Sequence, residues 1–106
     1  MSYILQVDFP FEGPWESAMT EAMQELATSI NDEPGFVWKI WTESQVDKMA
    51  GGIYLFDSRH NAQKYLEKHS ARLEAAGIKD IRGRIFAVNQ ELSELNRAPM
   101  YCLNIA

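Results

Sequence analysis

Asp8, Lys39 and Arg84 fall on segments that also carry Trp41, Tyr54 and Phe86, so charge is set among aromatic rings. A carboxylate held among rings has its pKa raised towards neutrality, which suits Asp8 to act as a base. A lysine or arginine facing the same space can hold an oxygen that turns negative as its proton leaves. This is the expected role of Lys39 and Arg84. Trp41, Tyr54 and Phe86 would wall a flat apolar slot, and Trp38 joins them if the face assignment below is off by one residue. A plainer reading stands beside this one: Trp38 and Trp41 as core, and the charges paired across strands.

The elements that must position these residues follow from periodicity. Tyr3 to Phe9 alternates, with Tyr3, Leu5, Val7 and Phe9 on one face and Ile4, Gln6 and Asp8 on the other. Pro14 suits the first position of a helix, and Trp15, Met19, Met23, Leu26 and Ile30 form one helical stripe up to the stop at Pro34-Gly35. The runs PGFVWKIWTES and AGGIYLF, joined by the polar QVDKM, read as a hairpin that is apolar on both faces. Gly51 and Gly52 inside its second arm suggest a bulge or a close approach by a backbone or a ligand.

A second helix opens at Asp57 or Ser58 and closes at Gly77, with Ala62, Tyr65, Leu66, Leu73 and Ala76 as its stripe. His69 sits within that stripe and reads as a hydrogen-bonded core histidine, while His60 reads as exposed. A fourth strand runs from about Lys79 to Asn89. The order β-α-β-β-α-β predicts an α+β, ferredoxin-like domain, an antiparallel sheet with two helices on one face. Phe36, Trp38 and Ile40 are assigned to the helix side. Asp8, Lys39, Trp41, Tyr54, Phe56, Arg84 and Phe86 are assigned to the opposite face. An aromatic face of that kind needs a cover, and a homodimer enclosing a cavity is the expected one.

Length and composition bound the rest. The 106 residues, 46% hydrophobic and 24% charged, suit one folded domain, taken as residues 1–98 with Pro99–Ala106 as a tail. Tyr101, Leu103 and Ile105 alternate as a short strand would, and the tail is expected to cross the dimer as an arm. A net charge of −5 argues against nucleic acid as a partner. Cys102 is the only cysteine, so no intrachain disulfide forms, which fits a cytoplasmic protein. No stretch approaches membrane-spanning length and no signal segment is evident.

The runs SINDEPGFVWKIWTES, AGGIYLF, YLEKHSARL and FAVNQELSELN closely resemble the YdhR-type monooxygenase family of the dimeric α/β-barrel superfamily, from about Leu5 to about Arg97. That resemblance implies a ferredoxin-like protomer, a dimeric α/β barrel and oxygenation of aromatic compounds. The sequence has no GxGxxG, flavin signature or metal cluster, so no cofactor and no metal are expected. The substrate itself would have to reduce dioxygen, as an electron-rich phenol or hydroquinone can once deprotonated. Haem is set aside because a histidine ligates the iron in haem-degrading relatives, and neither His60 nor His69 falls on the predicted cavity face. The alternative is a non-catalytic dimeric module holding a small apolar ligand in the same pocket.

Overall fold

The computed structural model describes residues 1–100. Cys102 and the alternating Tyr101, Leu103 and Ile105 lie outside the described residues. The elements are β1 (Tyr3–Pro10), α1 (Glu16–Ala22), α2 (Gln24–Ile30), β2 (Phe36–Ser44), β3 (Met49–Phe56), α3 (Arg59–Ala75), β4 (Arg82–Ala87) and α4 (Gln90–Leu95). The sheet order is β2-β3-β1-β4 with antiparallel neighbours throughout, so the ferredoxin-like topology is present.

The predicted first helix is broken at Met23, whose φ of −104° and ψ of 7° leave the helical region. No proline or glycine marks the place. Met23 N–H still donates to Met19 O and Ala27 N–H to Met23 O, so α1 and α2 form one bent arm. Its stripe packs inward through Met19 and Ile30. They meet Leu5, Val7 and Phe9 of β1, Tyr54 and Phe56 of β3, and Ala62 and Tyr65 of α3 in one core. Fully burying each of the larger side chains contributes roughly 1.5–3 kcal/mol.

Ser58 caps α3, accepting from Asn61 N–H at 3.1 Å. The short α4 was not foreseen, although Asn89 caps it in the usual way by accepting from Leu92 N–H at 3.1 Å. It borders the sheet face opposite α1–α3, where Ile4, Trp38 and Ile40 share a shallow hollow with Ala98, Pro99 and Met100. Trp38 Nε1 donates to Pro99 O there at 2.7 Å.

The assignment of faces is corrected by the register. Tyr54 pairs with Leu5 of β1 and with Lys39 of β2, so Tyr54, Phe56, Lys39 and Trp41 lie on the helix side with the core residues of β1. A bulge between Phe36 and Trp38 absorbs Val37 as an extra residue. Alternation therefore slips by one there, and Phe36 shares a face with Lys39 and Trp41 while Trp38 and Ile40 turn to the opposite side.

Candidate active site

A cavity of about 380 Å³ lies between the sheet and the helices of the one chain. Phe9, Phe11, Met19, Met23, Leu26 and Trp41 supply apolar wall, and Lys39, Thr42, Tyr54, His69 and Arg72 are the polar residues around it. Strand β2 carries Lys39 in, past the bulge, and α3 brings Tyr65, His69 and Arg72 inward at spacings of four and three residues, one helical face.

Lys39 Nζ lies 3.4 Å from the ring centroid of Trp41 and 4.6 Å from that of Tyr54. Burial, and then the Arg72 guanidinium, lower its pKa from 10.5 to about 7. The two ring faces act in the opposite sense, because they attract the ammonium. Near neutral pH the amine therefore exists in both forms, the condition for moving a proton.

Room for Lys39 comes from Gly52, where a Cβ would stand 2.5 Å from Lys39 Cε. Gly51 has a different reason, since a Cβ there would run into the carbonyl of Val7 on β1. Gly52→Ala is expected to push the lysine off the Trp41 ring at a stability cost of about 1–3 kcal/mol. Ligand titration and urea denaturation of the variant check both effects.

Tyr54 and Tyr65 place their hydroxyls 3.4 Å apart, and Arg72 Nη2 donates to Tyr65 Oη at 3.2 Å. Burial raises both phenol pKa values, so both stay neutral donors. Arg72 Nη2 also lies 2.8 Å from His69 Nδ1. A guanidinium can only donate, so Nδ1 accepts and the imidazole proton sits on Nε2. Burial first, then Lys39 and Arg72, lower the His69 pKa to about 3, and the ring stays neutral across the physiological range.

Of the residues singled out from the sequence, the structure brings together Lys39, Trp41 and Tyr54. Asp8, Arg84, Phe86 and Trp38 stand on the far side of the sheet. Asp8 accepts from Arg82 Nε at 3.2 Å, and Arg84 is exposed opposite Gln6. Phe86 is 48% exposed and pairs with Ile4. The expectation that both histidines avoid the cavity is corrected too. His69 is buried and lines it, so the ground on which haem was set aside does not hold. Arg72 was missed. Its signal was present in the 65–69–72 spacing, which places three polar side chains on the same arc as Leu66 and Leu73.

Among the described residues no group of three or more His, Cys, Asp or Glu side chains could hold a metal ion, and no helix is long and apolar enough to cross a membrane. The family model described as "Putative mono-oxygenase ydhR" matches residues 4–99. No curated protein matches the chain. Among solved structures, the chain is similar to SnoaB, a cofactor-independent oxygenase from Streptomyces nogalater. The two share 19% sequence identity at a TM-score of 0.58, over 84% of this chain and 94% of that one. At that identity the likeness speaks for the fold.

Proposed function

The chain belongs to the ydhR family, and from that premise we propose that it is a cofactor-independent monooxygenase acting on a small aromatic or quinol-like compound. The observation that carries the reading is an amine of near-neutral pKa, Lys39, against the Trp41 and Tyr54 rings in an apolar cavity. The solved oxygenase of the same fold works without a cofactor, which supports the same reading. In the proposed sequence Lys39 Nζ takes the phenolic proton. The electron-rich anion passes one electron to dioxygen, and superoxide and the aryloxyl radical combine at carbon. The peroxide anion then regains a proton from the Lys39 ammonium. Loss of water from the hydroperoxide leaves a carbonyl, so one oxygen atom enters product and the other leaves as water.

This reading places the base on Lys39 rather than Asp8, because the sheet lies between Asp8 and the cavity. A homodimer is part of the proposal. Ile40, 54% exposed, and Phe86 stand on the outer sheet face, where a second copy completing an α/β barrel would cover them. Light scattering is expected to give twice the chain mass, and a concentration-independent monomer would remove the dimer. The lone Cys102 suits a reducing cytoplasm, where we place the protein.

Oxygen uptake with a panel of hydroquinones and anthrone-like phenols tests the activity. Uptake above the buffer rate, with one oxygen atom of labelled dioxygen recovered in the product and no hydrogen peroxide released, is the expected result. Saturable quenching of tryptophan fluorescence without uptake would overturn it and leave a binding module.

A further inference from the structure

Lys39 and Arg72 border the same cavity, yet neither forms an ion pair among the described residues. Two cations taken out of water without a carboxylate destabilise a fold unless a ligand supplies the missing charge. A second, independent observation points the same way. Arg72 Nη2 is occupied by Tyr65 and His69, but Arg72 Nε is buried with no hydrogen-bond partner among the described residues. A buried N–H of a guanidinium left unpaired is costly, and an anionic oxygen is the acceptor that suits it best.

We propose that Arg72 and Lys39 form an anion site in the cavity, so that the protein selects aromatic ligands carrying one acidic oxygen group and holds them as anions. The inference rests on the cavity being the ligand site, as in the proposed function, and it narrows the substrate class to acidic aromatics. Arg72 anchors the anion because its charge is permanent and its side chain lines the cavity. Lys39 supplies the second charge when protonated. A ligand that enters as a neutral phenol provides that proton itself, whereas a carboxylate enters with a proton taken up from solvent. The Tyr54 and Thr42 hydroxyls and the neutral His69 ring complete the polar surroundings, and the lining from the bent arm of α1 and α2, Met19, Met23 and Leu26, brings no charge. Uncharged aromatics of equal size would leave both cations uncompensated and bind more weakly.

Matched pairs that cannot be oxidised by the proposed route test this without reference to catalysis. Naphthoate is expected to quench tryptophan fluorescence with at least tenfold tighter binding than naphthamide, its uncharged isostere, roughly the value of one charge-assisted hydrogen bond. Arg72→Gln should remove most of that preference, leaving Lys39 as the remaining cation, and Arg72→Lys should retain more of it. A readout on the unaltered protein covers the case in which Arg72→Gln does not fold. Para-nitrophenol, buffered below its own pKa, should show the phenolate absorbance band on binding. Equal affinity for naphthoate and naphthamide, binding of nitrophenol without the phenolate band, or no binding of any of the three would overturn the anion site. Acid selectivity without oxygen uptake on the phenol panel would sink the oxygenase reading alone. Uptake without acid selectivity would sink the anion site alone.

Discussion

Lys39→Met is expected to lower oxygen uptake by about 10²- to 10⁴-fold, the usual contribution of a general base, while leaving the protein no less stable at neutral pH. The stability half of this result follows from linkage. The Lys39 pKa is about 7 in the folded protein against 10.5 in the unfolded chain. Between those values the unfolded state binds the proton and the folded state does not, so stability rises with pH across that window. Below about 7 the folded protein carries a buried ammonium at full cost, offset in part by the Trp41 and Tyr54 rings. Methionine fills similar space without that cost. A dead but undiminished fold would mark Lys39 as a residue retained for function against stability. Lys39→Arg separates base from cation, because a guanidinium does not give up its proton. It should be as inactive as Lys39→Met, and an active Lys39→Arg would remove the lysine as base. In the unaltered protein uptake should rise with pH through about 7 and level off above it, as Lys39 loses its proton beside Arg72, His69 and Tyr54.

The split between what the sequence showed and what it hid has a physical origin. Element order was legible because Leu5, Val7 and Phe9 alternate cleanly, Ser58 and Gly77 punctuate α3, and Pro34-Gly35 ends the bent arm. Alternation states which residues of one strand share a face, but not which face meets the helices. The run Ile53-Tyr54-Leu55-Phe56 is apolar on both sides, so it offered no contrast to settle the matter. The Leu5–Tyr54 pairing settles it, and pairing is a long-range fact. The bulge at Val37 added a second slip, since one extra residue exchanges every later side chain between faces. Lys39 and Trp41 were rightly grouped with Tyr54, but Asp8, Arg84 and Phe86 were grouped with them through the same misplaced face. His69 and Arg72 were hidden for another reason. Polar side chains on an apolar helical stripe read as tolerated exceptions until a cavity is seen in front of them.

Phe56→Ala is expected to cost about 3–5 kcal/mol, a large share of the 5–15 kcal/mol that holds a domain of this size. Phe56 is fully buried, with the rings of Phe36, Tyr54 and Tyr65 at centroid distances of 6.0, 6.1 and 5.6 Å. Removing it leaves a hole beneath Tyr54, and the Tyr54–Tyr65 hydroxyl contact at 3.4 Å has no other ring behind it on β3. Urea denaturation should show a lower midpoint, and ligand affinity should fall with it even where the variant remains folded. Phe86→Ala supplies the contrast. On an isolated chain, loss of this half-exposed ring should cost under about 1 kcal/mol. A cost approaching that of Phe56→Ala, growing as protein concentration rises, would mean that a second copy buries the outer face in solution. The two phenylalanines thus read opposite sides of one sheet, one against the helices and the other against whatever the sheet itself meets.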